Sequence, residues 1–143
     1  MKRKTRYAES YEPSAPVLLL RVGSPDRESA ARGVALMGLV DTGADMTLIP
    51  ESVAVDLDLP VVSNVRIAGV TGGRETAEIH AAIVSLAGMN FFSEIVAFGE
   101  EPIVGRDLLN RFIVRLDGPQ RLLDISTPSK RRSSKGAVRR RRK

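Results

Sequence analysis

The sequence predicts a mainly β protein, a small barrel or sandwich. Its apolar stretches are short and rich in β-branched residues, and Gly, Pro, Asn and Asp punctuate them at close intervals. Only residues 51–58 and 107–112 carry a helical pattern, too little for a helix-rich architecture.

In order along the chain, residues 1–14 read as a polar, basic extension. Pro13 and Pro16 mark where the domain begins, and residues 15–127 form that single domain. Residues 17–22 are an apolar strand, and residues 32–40 a second, with Gly33 and Gly38 allowing close backbone approach. Residues 48–50 form a short strand that stops at Pro50, before the helical pattern over 51–58. Residues 61–68 and 75–86 flank a glycine-rich turn (Gly69, Val70, Thr71, Gly72, Gly73), which predicts a hairpin. A turn over 88–90 leads to a strand at 91–98, where Phe91, Phe92 and Phe98 read as core. Residues 107–112 read as a short helix, with Leu108, Leu109 and Phe112 on one face. Strands at 113–116 and 121–125 flank the turn signal Asp117, Gly118, Pro119. Residues 128–143 are a like-charged tail that cannot bury enough apolar surface to fold alone.

Composition removes several kinds of chemistry. With no Cys among 143 residues there is no disulfide, no Cys-ligated metal and no thiol nucleophile. The single His, His80, cannot make a His-pair metal motif and reads as a structural or surface side chain. The sequence calls for no metal and no cofactor. No apolar run approaches the roughly 18–20 residues that a transmembrane helix needs. The early apolar run at 16–22 is short and follows Glu9 and Glu12, so the expectation is a cytoplasmic chain with no signal peptide.

The net charge of +5 conceals a strong asymmetry. Four Lys and Arg lie in residues 2–6 and nine in residues 130–143, whereas residues 7–129 hold nine against all 17 acids. An acidic body of about −8 therefore sits between basic ends. The ends offer nonspecific contact with a polyanion, without interleaved aromatics for base stacking.

The segment that points to chemistry is LVDTGADMTLIP, residues 39–50. Two apolar residues lead into Asp41, followed by Thr42, Gly43 and Ala44, so a strand ends by presenting a carboxylate on a tight loop of small residues. Carboxylates bracketed by apolar residues are rare unless paired or functional. A second segment, PIVGRDLL at residues 102–109, runs two apolar residues into Gly105 and Arg106.

Together these segments resemble the retropepsin-like aspartic proteases, the single-lobe relatives of pepsin, over roughly residues 17–125. The order of parts agrees: Asp loop, glycine-rich hairpin, two strands, Gly–Arg segment. The resemblance implies a small closed β-barrel with a flap hairpin and one short C-terminal helix. It implies that Asp41 is the catalytic aspartate, with Thr42 and Gly43 completing its triplet, and that Thr42 cross-links two Asp loops. Gly43, Ala44 and Asp45 match positions beside the substrate backbone, and Gly69, Val70, Thr71, Gly72 and Gly73 fall at the flap tip. Gly105 and Arg106 support the site, Arg106 by an ion pair with Asp45.

Aspartic peptide hydrolysis needs two carboxylates around one water. One takes the water's proton and the other, protonated, polarises the scissile carbonyl; at close range the pair shares one proton because two like charges cannot both ionise cheaply. The chain carries one D-T-G, since Leu116, Asp117 and Gly118 lack the Thr. The second carboxylate then comes from a second copy, and an active enzyme is a homodimer cutting a peptide or protein substrate. The long basic ends would repel across a dyad. That leaves residues 17–22, the last hairpin or the Asp loops to form the interface. The alternative reading is a non-catalytic dimeric module of the same fold that binds peptides.

Overall fold

The computed structural model describes residues 2–26, 33–68 and 72–129. Ten strands and two short helices are present among them: β1 (Lys2–Arg6), β2 (Val17–Gly23), β3 (Val34–Val40), β4 (Leu48–Ile49), α1 (Glu51–Asp56), β5 (Val61–Ala68), β6 (Arg74–Leu86), β7 (Met89–Ala97), β8 (Ile103–Val104), α2 (Arg106–Leu109), β9 (Ile113–Asp117) and β10 (Leu122–Ser126).

Six of these strands close a ring. The order β2-β3-β8-β4-β7-β6 returns to β2 through a further β2–β6 pairing, so the sheet is a closed barrel, joined through β8 and β4 by pairings of only one or two residues each. β6 has two roles. Its second half, from Glu78, pairs with β7 and, at Ile83–Leu86, with β2; its first half pairs with β5 in a hairpin that projects from the barrel. The barrel interior is apolar and close-packed, with Leu20, Val22, Ile49, Val84, Leu86, Ile95 and Val104 at 1% exposure or less. Gly38 is needed in β3 because a Cβ there would lie 2.6 Å from Val104 Cγ2 and 2.8 Å from Leu20 Cδ2.

A separate three-stranded sheet, β1-β10-β9, packs on this barrel. Leu123 and Ile125 of β10 enter the core fully buried. Here the structure departs from the sequence reading. Residues 2–6 are not outside the domain: Lys2 to Arg6 pair in antiparallel register with Ser126 to Leu122. Their cationic composition hides a strand because an edge strand needs only one side chain, here Thr5, turned toward the core. Tyr11, in the segment that follows, donates a 2.6 Å hydrogen bond to Glu101 in the loop before β8. That bond, then burial and the carboxylate's charge, raise the phenol's pKa above its usual value.

Smaller differences have local causes. The turn predicted over 88–90 is a two-residue β6–β7 turn at Ala87 and Gly88, both with positive φ, which leaves Met89 and Asn90 in β7. Phe92 is 66% exposed rather than core, because strand alternation turns it away while Phe91 packs edge-on against Phe112 with ring centroids 5.8 Å apart. α2 starts one residue earlier than expected and ends at Leu109; Arg111 and Phe112 continue with tighter bonds to the third residue back. His80 is buried, as a structural side chain: its Nδ1 lies 2.8 Å from the Leu59 carbonyl and so carries a proton, and its Nε2 lies 3.3 Å from Glu78. No helix is long and apolar enough to cross a membrane among the described residues.

Candidate active site

β8 lies between β3 and β4, parallel to the first and antiparallel to the second. The chain leaving β3 at Val40 must therefore loop past the end of β8 before it returns as β4. Residues 41–47 make that loop, and β8 ends in Gly105 and Arg106 beside it. Two segments far apart in sequence meet here because β8 is inserted between the strands that carry the loop.

Asp41 sits at the C-terminal end of β3. Its backbone N–H donates to the Val104 carbonyl at 3.1 Å, continuing the β3–β8 ladder by one residue. The residue is half-buried, and its carboxylate Oδ1 accepts the Gly43 N–H at 2.8 Å. The Ala44 N–H closes the turn onto the Asp41 carbonyl at 3.3 Å. The sequence Asp-Thr-Gly-Ala suits this turn, since the acceptor oxygen needs a donor two residues on and Gly43 leaves space there.

Arg106 fastens the loop from the other side. Its Nη1 donates to the Thr42 carbonyl at 2.8 Å and its Nη2 pairs with Asp45 Oδ1, while its own N–H donates to the Ala44 carbonyl at 2.9 Å. The Asp45 side chain is 84% exposed, so this ion pair adds little stability; its value is geometric, because a guanidinium fork holds two acceptors at fixed separation. The expected Asp45–Arg106 contact is thus present. The Thr42 hydroxyl is exposed and has no hydrogen-bond partner among the described residues.

The sequence reading missed Thr47. It is fully buried, donates to Asp107 Oδ1 at 2.8 Å and accepts the Gly105 N–H at 3.1 Å. One hydroxyl thereby ties the returning arm of the loop to the start of α2. The signal was available: a lone hydroxyl between Met46 and Leu48 in an apolar stretch must find partners if buried. Thr47→Val keeps the shape but leaves the Gly105 N–H and the Asp107 carboxylate unpartnered. It is expected to lower stability by about 1–3 kcal/mol in urea unfolding, with Thr47→Ser retaining most of the wild-type value.

Seven predicted site residues (Asp41, Thr42, Gly43, Ala44, Asp45, Gly105 and Arg106) come together in this corner. Of the predicted flap residues, the two that are described do not join them. Gly72 and Gly73 lie at the tip of the β5–β6 hairpin, Gly72 with φ of +80°, and make no hydrogen bond to the Asp41 loop among the described residues; Gly69, Val70 and Thr71 lie outside the described residues. Two concavities among the described residues also lie elsewhere. One of about 560 Å³ lies between α1 and β6, and one of about 620 Å³ beside Tyr7, Tyr11 and Arg121. Neither includes any residue of the Asp41 loop. Cavity size is outweighed here by the convergence of hydrogen bonds on one carboxylate loop.

A family model for the retroviral aspartyl protease matches residues 13–117, most of the chain and both halves of this corner. The chain belongs to the retroviral aspartyl protease family. Solved structures of this aspartyl protease type share its fold. A retropepsin-like aspartic protease from Rickettsia conorii superposes with a TM-score of 0.59 at 18% identity, covering 87% of this chain and 90% of that one. The EIAV protease, solved with the inhibitor HBY-793, superposes with a TM-score of 0.51 at 20% identity, covering 67% of this chain and 86% of that one. No curated protein sequence matches the chain significantly. The closed barrel expected for an aspartyl protease of this type is the one observed.

Proposed function

We propose that this aspartyl protease family member is an aspartic endopeptidase that works as a homodimer, with one Asp41 from each copy. The observation that carries this reading is the Asp41 loop, pinned by Gly43, Val104 and Arg106 with its carboxylate presented at the end of a barrel strand. Two such carboxylates across a dyad hold one water between them. The ionised member takes the water's proton as its oxygen attacks the scissile carbonyl, and the protonated member donates a hydrogen bond to the carbonyl oxygen. Collapse of the tetrahedral intermediate then expels the amine, which takes the proton that the first carboxylate had removed from water, so the pair again holds one proton. The exposed Thr42 hydroxyl, without a hydrogen-bond partner among the described residues, would reach the partner's loop. The β5–β6 hairpin would cover a bound peptide and exclude bulk water. The substrate is a peptide or an unfolded stretch of protein, because an open cleft between two copies accepts an extended chain.

The test is cleavage of a denatured-protein or peptide library by the purified chain between about pH 4 and 7, with sedimentation in parallel. Cutting that requires Asp41 and rises with the dimer fraction is the expected result. A well-formed dimer that cuts nothing would favour the non-catalytic peptide-binding reading instead.

A further inference from the structure

We infer that the outward face of the β1-β10-β9 sheet, continued in sequence by the cations of residues 130–143, is a docking surface for the phosphate backbone of a nucleic-acid duplex, whatever its base sequence. The inference concerns binding and does not depend on the endopeptidase reading above.

Strand alternation sorts the cations of β1 by face. Arg3 and Thr5 stand opposite Ile125 and Leu123, which are buried in the core, so those two positions belong to the inward face. Lys2, Lys4 and Arg6 fall on the other face, and all three are exposed. β10 carries that face across to β9. Asp124 is in register with Lys4 on one side and with Arg115 on the other, so the exposed Arg115 joins the three cations of β1. At ordinary strand spacings the four charges span about 13 Å along the strands and about 10 Å across the sheet. Asp124 and Asp117 also lie on this face, but on β10 and β9, so the row along β1 is cationic throughout. The ion pairs within the described residues, His80 with Glu78 and Arg106 with Asp45, use none of the four cations.

Blunting a sheet edge explains a lysine or two on β1. It does not explain the distribution of charge over the rest of the chain. β10 ends at Ser126, in register with Lys2, and residues 130–143 then bring nine Lys and Arg in sequence. Those charges are therefore tethered at the Lys2 end of the same face. Residues 7–129, in contrast, hold 17 acids against nine cations. A polyanion is repelled by most of the domain and attracted at one end, which orients its approach.

The chemistry of the face selects among polyanions. It presents no aromatic side chain on which a base could stack, so contact is with phosphates and carries no sequence preference. Without stacking, the gain comes from counterions released by the denser line of charge, and a duplex is denser than a single strand. An anionic bilayer offers charge too, but stable anchoring there takes a second, apolar signal. The face exposes one large apolar side chain, Ile113, and the chain has no Cys to carry an acyl group.

The test is fluorescence anisotropy of a labelled DNA duplex of about 20 base pairs with the full purified chain, over salt from about 0.05 to 0.3 M. Binding with a Kd on the order of 1–100 μM near 0.15 M salt is expected, weakening steeply as salt rises. Replacing the four cations together (Lys2→Thr, Lys4→Thr, Arg6→Thr, Arg115→Thr) should weaken binding at least about tenfold at 0.1 M salt and flatten the log–log salt slope by about 3–4. Threonine suits a strand, and thermal melting checks that the fold is kept. If the fourfold variant does not fold, Arg115→Thr alone should flatten the slope by about 1. The comparison is Arg66→Thr with Arg74→Thr on the β5–β6 hairpin, which should leave the slope unchanged. A folded fourfold variant that binds like the wild type would place all binding in residues 130–143 and overturn the inference. So would an equal loss per charge in the hairpin variant, which would report net charge alone. Vesicles of phosphatidylcholine with about 30% phosphatidylserine are titrated at the same salt. Tighter binding to them than to the duplex, or no binding to the duplex at 0.05 M salt, would also overturn it.

Discussion

Replacing Asp41 with asparagine is expected to abolish the proposed peptide hydrolysis while leaving the protein folded and the proposed dimer intact. The swap is nearly isosteric, and the amide oxygen can still accept the Gly43 N–H that the carboxylate accepts now at 2.8 Å. The Asp41 N–H bond to Val104 involves only backbone and is unaffected. What is lost is the group that takes a proton from water in the proposed mechanism, since an amide has no basic site of the required strength. The rate should fall by at least about a thousandfold, the scale seen when a group that acts only in the transition state is removed. Stability should hold or rise, because in the proposed dimer two amides across the dyad would replace two carboxylates that repel one another. Library cleavage and thermal melting read the two effects independently. Cutting at the wild-type rate would show that Asp41 does not activate the water.

Gly105→Ala should disturb the same corner through sterics alone. A Cβ at Gly105 would lie 2.6 Å from both the carbonyl carbon and oxygen of Met46 and 3.0 Å from the Thr47 nitrogen. These are backbone atoms of the Asp loop, so relief requires the loop or β8 to move. The Gly105 N–H bond to the Thr47 hydroxyl stretches with that movement, and the Arg106 bonds to Thr42 and Ala44 follow. The expected cost is about 1–3 kcal/mol of stability, with a larger proportional loss of activity because the carboxylate is displaced. Gly38→Ala is the useful comparison. Its Cβ would press on Val104 Cγ2 and Leu20 Cδ2, buried side chains of the packed core rather than backbone of the loop, so the added methyl should cost stability by overpacking while sparing the loop and its activity. Urea unfolding and cleavage rates for the two variants would separate a local collision from a general loss of packing. Equal effects at the two positions would contradict the argument.

Much of the candidate site is legible in the amino-acid sequence. Residues 39–50 and 102–109 carry their chemistry in their order: apolar residues into Asp41-Thr42-Gly43 in the first, apolar residues into Gly105-Arg106 in the second. Local rules suffice because a turn of small residues and a strand end are made by neighbours in the chain. The ion pair of Asp45 with Arg106 follows from family resemblance rather than from spacing, and it is present. Thr47 escapes such a reading because its two partners, Gly105 and Asp107, are 58 and 60 residues away, and a hydroxyl does not declare in sequence which distant groups it will satisfy.

The sequence by itself thus determined a mainly β chain, the position of each main strand to within a few residues, and the loop that offers a carboxylate. It determined these because side-chain alternation, glycine turns and the missing cysteines act locally or compositionally. Tertiary structure alone decided that β8 would insert between β3 and β4, which brings Arg106 and Thr47 to the Asp41 loop. It also decided that Lys2–Arg6 would be a strand rather than an extension, because a strand at a sheet edge is made by the partner that supplies its hydrogen bonds, here β10, and not by its own hydrophobicity. The same pairing leaves β9 as the edge of that sheet without net charge. Which edge is open depends on the order of strands, and that order exists only once residues more than a hundred positions apart have met.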